Sequence, residues 1–185
     1  MPAAVARSAL PTGTVTFLFT DIEGSTRLLS ALGDRYRSLL AAHHEILRAA
    51  ISGNAGTEVS TEGDAFFAVF PSANDAVRAA VEAQRALARR GWPEGAGVRV
   101  RMGVHTGEAQ LGDDGYVGID VHRAARIAAA GHGGQVLLSD ATRALTDHAL
   151  PAETELRDLG AHRLKDLPVP ERLWQLEIAG LPHEF

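Results

Sequence analysis

The 185-residue sequence predicts an α+β fold, an antiparallel-rich sheet with helices packed mainly on one face. Two segments, Thr14–Thr20 and Val98–His105, alternate apolar and polar residues with the period of a strand. Between them, Glu62-Gly63-Asp64 separates two apolar-rich arms and reads as a hairpin turn. Stripes of helical period fill the remaining intervals, giving the ferredoxin-like split β-α-β order with a doubled first helix.

Residues 1–13 form a leader of small residues and prolines without period, residues 14–179 the domain and residues 180–185 a tail. The first strand carries Val15, Phe17 and Phe19 on one face. Gly24-Ser25-Thr26 opens a short helix to about Leu32. Asp34 is the expected N-cap of a second helix, whose apolar stripe is Tyr36, Leu39, Leu40, Leu47, Ala50 and Ile51. Gly53 to Gly56 breaks it. Glu58–Thr61 and Ala65–Phe70 are the hairpin arms, and Pro71-Ser72 ends them and caps a helix to about Arg90. Its inward residues are Ala76, Val77, Ala80, Val81 and Leu87. After Val98–His105, Gly107 and the Gly112–Gly118 stretch read as a long loop. Ile119–Ala130 is a helix with Val121, Ala124, Ala125 and Ala128 inward, ended by Gly131 to Gly134. Val136–Leu138 is a short strand, Ser139 caps a helix to His148, and Leu156–Leu159 and Arg172–Ile178 close as edge strands.

Composition excludes several classes. Hydrophobic residues at 45% and charged residues at 22% are those of an ordinary globular domain. The chain has no Cys, so disulfides, thiolate metal sites and cysteine nucleophiles are excluded. A net charge of −5 argues against a broad nucleic-acid-binding face. No apolar run is long enough to span a membrane and no signal-peptide core is present, so a soluble cytoplasmic protein is expected.

Two constellations point to chemistry. In Phe19-Thr20-Asp21-Ile22-Glu23-Gly24-Ser25-Thr26, a carboxylate ends a strand just before a helix N-terminus. A cation can sit on the carboxylate and an anion on the open N–H groups, although a plain capping turn has the same pattern. Asp64, in the hairpin turn, is by itself an ordinary turn residue. With the strand and hairpin paired, Asp21 and Asp64 share one sheet end, where two carboxylates suit two divalent cations. His122 and Arg126 share a helix face four residues apart, as two solvated residues also would. Arg123 reads as solvent-exposed, His105 as structural, His43 as a satisfied and partly buried histidine, and His132 as a cap. Zincin, nucleophile-elbow and Walker patterns are absent.

The strings FTDIEGST, TEGDAFFAVF, RMGVHTGEAQLG and YVGIDVHRAARIAAAGHGGQVLLS, with the terminal LGAHRLKDLPVPERLWQL, resemble the catalytic domain of bacterial-type class III adenylate and guanylate cyclases. The resemblance runs from about Thr14 to Ile178. It implies the class III cyclase fold, with Asp21, the Ile22 carbonyl and Asp64 as ligands of two Mg²⁺ or Mn²⁺ ions. It further implies Gly24, Ser25 and Thr26 as the phosphate turn, Arg126 as the transition-state arginine, and Lys165 near the phosphates. Three positions depart from the family pattern. Ser60 replaces the purine-reading Lys. Gly115 replaces its partner, with Asp114 one place away. His122 replaces the ribose-orienting Asn and joins Arg126 as a catalytic candidate. The implied reaction is conversion of ATP, or of GTP, to the cyclic nucleotide in a homodimer, with neither nucleic acid nor membrane as partner. Two other readings use the same residues: a regulatory nucleotide-binding domain with little turnover, and an RNA-binding module, which the acidic charge disfavours.

Overall fold

Strand β1 (Gly13–Ile22) is apolar on both faces because the sheet is covered on both, and it lies between β3 and β4. The computed structural model describes residues 10–93, 96–113 and 115–185. The other elements, in chain order, are α1 (Ser25–Leu32), α2 (Tyr36–Gly53), β2 (Thr57–Glu62), β3 (Ala65–Phe70), α3 (Ala73–Arg89), β4 (Val100–Gly112), β5 (Gly115–Val117), α4 (Ile119–Ala130), β6 (Val136–Ser139), α5 (Asp140–Thr146), β7 (Thr154–His162) and β8 (Glu171–Ile178). The sheet runs β2-β3-β1-β4-β6-β8-β7, with β5 paired to the far end of β4. Its pairs are antiparallel except β4–β6, which the α4 crossover joins in parallel. The α+β architecture is therefore as the sequence predicts.

The main core lies under α2 and α3, where Leu18, Ile22, Phe66, Met102 and Val104 meet Leu39, Leu47, Val77, Ala80 and Leu87. Helix α4 lies on the opposite face, where Tyr116 of β5 and Leu10 also pack. It sits directly on β4, where a Cβ at Gly103 would collide with the backbone of Ala128. Only glycine permits that approach.

The structure departs from the sequence reading at several points. Asp34 is not an N-cap: it lies in a 3-10 turn, Gly33–Arg35, and α2 starts at Tyr36 without a side-chain cap. An N-cap needs an extended backbone, and Arg35 is already helical (φ −69°, ψ −19°). The stretch read as a loop around Gly107 is the continuation of β4, and Gly112–Gly118 is a β4–β5 hairpin over its described part. Glycines scattered through that strand masked it. Along α4 the third buried position is Ile127, not Ala125, which is half-buried together with Val121. Strand β8 is internal, between β6 and β7, so of the two closing strands β7 alone is an edge. Ser139 does cap α5, accepting a hydrogen bond from the Thr142 amide.

Candidate functional site

The metal-ligand candidates converge because of strand register. Thr20 faces Phe66 across the β1–β3 ladder, so Ile22 reaches the level of the β2–β3 turn. There the Ile22 amide donates to Asp64 Oδ2 at 2.7 Å, bringing Asp21, Ile22 and Asp64 to one sheet end. Gly63 takes the first loop position with φ 59°, a left-handed value that glycine adopts without strain. Immediately beyond, Gly24 has φ 70° and forms the N-cap of α1 without any side-chain cap. The first-turn N–H groups of Ser25 and Thr26 thus follow the carboxylates directly.

Arg101, which the sequence reading passed over, belongs to this group. It lies opposite Asp21 in the β1–β4 register. Its Nε and Nη2 both donate to the Asp21 carboxylate, the latter at 3.0 Å, and Nη1 donates to the Ala129 carbonyl at 3.3 Å. The hydrogen bonds to Asp21 raise the Arg101 pKa above its already high value. Nothing in the local sequence marks this arginine. It is one polar residue in an alternating strand, and only the register of β1 against β4 reveals it.

The oxygen donors fit a hard divalent cation: two carboxylates on adjacent strand ends, with the Asp64 position fixed by a backbone amide. Among the described residues, no cluster of three or more His, Asp or Glu forms a closed metal cage. Mg²⁺ is commonly held by one or two carboxylates, with substrate phosphates completing its shell.

The remaining candidates lie elsewhere. Arg126, about a third exposed on α4, donates through Nη2 to Asp166 Oδ2 at 2.6 Å. Lys165 precedes that aspartate in the β7–β8 connection, and Asp166 holds a left-handed φ of 62°. His122 is exposed one turn before Arg126, and Ser60 is exposed on β2 beside a bulge. Asp114 lies outside the described residues. Among the described residues no hydrogen bond or ion pair joins Arg126 to Asp21 or Asp64.

Helix α4 is anchored by a buried polar chain. Nε2 of His105 must donate to Asp120 Oδ1 (3.1 Å), because a carboxylate only accepts, so neutral Nδ1 accepts from Ser139 Oγ (2.8 Å). Burial holds the His105 pKa below its ordinary value despite Asp120. Burial opposes the Asp120 charge, yet the Glu108 amide, His105 and Arg123 keep its carboxyl below the usual range. Arg123, read as exposed, is instead half-buried between Asp120 (2.5 Å) and Glu171 (2.6 Å). His43 also differs from expectation. It is fully buried, and both ring nitrogens lack a hydrogen-bonding partner among the described residues. Burial, and then the neighbouring His44, lower its pKa to about 4. The backbone amide of His132 is held by Gln135 Oε1, and its ring stacks on Phe185.

The sequence as a whole matches a known family. The chain belongs to the adenylate and guanylate cyclase catalytic domain family, whose pattern it fits over residues 8–172. It is 42% identical over 168 residues to an uncharacterised protein of Mycobacterium tuberculosis, a match covering 90% of this chain and 56% of that protein. The chain thus spans just over half the length of that curated relative. Among solved structures, it is similar to a Trypanosoma brucei adenylate cyclase determined in its monomeric state (30% identity, TM-score 0.82, covering 98% of this chain and 96% of that one). An adenylate/guanylate cyclase/hydrolase from the bacterium Silicibacter pomeroyi is also similar (28% identity, TM-score 0.77, covering 95% and 100%).

Proposed function

We propose that this chain is an adenylate cyclase that converts ATP to 3′,5′-cyclic AMP and pyrophosphate at sites shared between two copies. The observation that carries the reading is the hydrogen bond from the Ile22 amide to Asp64, which gathers two carboxylates beside the α1 N-terminus. Asp21, Asp64 and the Ile22 carbonyl would hold two Mg²⁺ or Mn²⁺ ions. Bound there, the cations would acidify the ribose 3′-hydroxyl and neutralise triphosphate charge. The N–H groups at Gly24, Ser25 and Thr26 orient the triphosphate. The 3′-oxygen then bonds to the α-phosphorus as the bond to the β-phosphate oxygen breaks, and pyrophosphate leaves. Arg126 stabilises charge growing on the α-phosphate with its planar fork, and Lys165 adds positive charge near the phosphates. In this reading His122 would face the ribose and Ser60 the base, and the family resemblance would also assign Asp114 to base reading.

The family resemblance assigns Asp21 and Asp64 of each site to one copy and Arg126 to the other, so the active form in this reading is a homodimer. Half-buried Phe19, Val59, Phe67 and Leu111 on the α4 side of the sheet supply an apolar surface for that contact. Among the described residues no helix is long and apolar enough to cross a membrane, and we place the reaction in the cytoplasm, where its substrate is made.

The test is turnover of purified protein with ATP and with GTP, each with Mg²⁺ and with Mn²⁺. Cyclic AMP formed in a metal-dependent way supports the reading. Nucleotide binding without turnover would favour a regulatory nucleotide-binding domain, the reading to which Ser60 and His122 lend weight.

A further inference from the structure

We infer that His44 is a positioning residue that sets Asp64 for cation binding, an inference that rests on the metal site proposed above. Asp64 follows Gly63 in a two-residue loop, and sheet pairing fixes only the residues on either side, Glu62 and Ala65. The loop is held from two directions. On one side the Asp64 carboxylate accepts from the Ile22 amide. On the other, His44 reaches down from α2 and its Nε2–H donates to the Gly63 carbonyl at 2.7 Å. The Gly63 carbonyl belongs to the same planar peptide as the Asp64 amide. Fixing that oxygen therefore fixes the plane from which the Asp64 side chain departs.

The imidazole is itself located by packing. It stands edge-on to the buried ring of Phe66, centroids 5.2 Å apart and planes at 79°. One helical turn later, Arg48 lies over the same ring at 5.4 Å and grips Glu58 of β2 through Nε at 2.7 Å and Nη2 at 3.0 Å. His44 and Arg48 thus strap the hairpin to α2 at two heights, one on the strand and one on the turn. The strap at the turn is the one that touches the peptide of a proposed ligand. Asp64 would then offer its free carboxylate oxygen in a fixed direction, so a cation need not order the loop on arrival.

The test separates the donor from the ring. His44→Phe keeps an aromatic ring against Phe66 and loses the donor, whereas His44→Gln keeps an amide donor near the Nε2 position and loses the ring. Mn²⁺ is titrated into each protein with 3′-deoxy-ATP, which lacks the attacking hydroxyl, and free Mn²⁺ is read by electron paramagnetic resonance. His44→Phe should raise the Mn²⁺ concentration for half-saturation by about two- to tenfold, the range of one hydrogen bond. His44→Gln should stay within about twofold of wild type, and both should melt as wild type does. An unshifted His44→Phe, or equal losses in both variants, overturns the positioning role. Asp64→Ala is the control for the underlying site. If it binds Mn²⁺ as wild type does, the metal reading falls and the role of His44 falls with it. If it loses binding while His44→Phe does not, only the inference about His44 falls.

Discussion

The two halves of the proposed site are built in opposite ways. The carboxylate half stands on strand ends and a tight turn, and the backbone itself holds it: β1 pairs with both neighbours, and Asp64 is tied to the Ile22 amide. The arginine half stands on one helix and a connection between strands. Among the described residues the hydrogen-bonding partner of Arg126 is Asp166, whose side chain is 60% exposed. Its supporting helix, though, is fastened from beneath by His105, Asp120 and Ser139. A rigid half can hold charges that must be fixed before substrate arrives. A looser half, on a rigid base, can close on a substrate presented by another copy.

The largest effect should come from breaking the rigid half. Asp21→Ala or Asp64→Ala should lower turnover about a thousandfold or more, since each removes a proposed cation ligand, while circular dichroism stays as in wild type. Arg126→Ala should cost about a hundred- to a thousandfold in kcat, with smaller change in nucleotide binding. Coexpressing Asp21→Ala with Arg126→Ala sharpens the comparison. About half of randomly paired dimers are mixed, and each carries one intact site, so roughly a quarter of wild-type activity should return. No recovery, with mixed dimers verified by differential tags, would mean that both halves serve one chain.

Purine choice comes next in size. Ser60 is short and uncharged and Gly115 has no side chain, so ATP and GTP should differ by less than about a hundredfold in kcat/KM. A wider ratio in parallel assays would assign base reading to another group.

Acid should act on the scaffold more than on the site. The buried His43 has its pKa lowered to about 4, from 6.5. Between those values the unfolded chain binds a proton that the folded chain refuses, so stability falls as pH drops from 6.5 towards 4 and is undiminished above 6.5. The loss should reach about 3 kcal/mol at the lower end. His105, lowered by burial, acts in the same direction. In urea titrations across pH, His43→Leu should flatten the slope and leave the part due to His105. A slope unchanged by His43→Leu would count against a neutral buried imidazole.

The smallest effect is expected at Asp166. Asp166→Asn removes an exposed ion pair, worth about 1 kcal/mol or less, so the melting temperature should hardly move. A large destabilisation would show that the arginine half is more rigid than its exposure suggests.

Much of this was legible in the sequence because it lies in local pattern. Alternation gave β1 and the first half of β4, the Glu62-Gly63-Asp64 turn gave the hairpin, and Ile119–Ala130 came out with its observed bounds. The family strings marked Asp21, Asp64 and Arg126. What escaped notice depends on register between distant segments. Arg101 meets Asp21 across 80 residues, His44 meets Gly63 across 19, and Arg123 is buried by Glu171 from β8. The far half of β4 was missed for a different reason. Its outer residues alternate weakly around Gly107 and Gly112, and they are strand because β1 pairs with them as far as Ala109 and β5 from Gln110 to Gly112. His43 was misjudged because a helical stripe places a residue inward without saying whether anything polar waits there.

The grip of Arg101 on Asp21 has one more consequence. Two acidic groups crowded at one sheet end would repel each other and strain the fold whenever no dication was near. The guanidinium acts as a built-in counter-ion, so folding does not wait for a metal. At the proposed metal site an incoming dication would have to displace that guanidinium, freeing it beside the proposed triphosphate position. Architecture and chemistry are thereby uncoupled: a chelator should silence such a protein while leaving it folded, ready to restart when the ion returns.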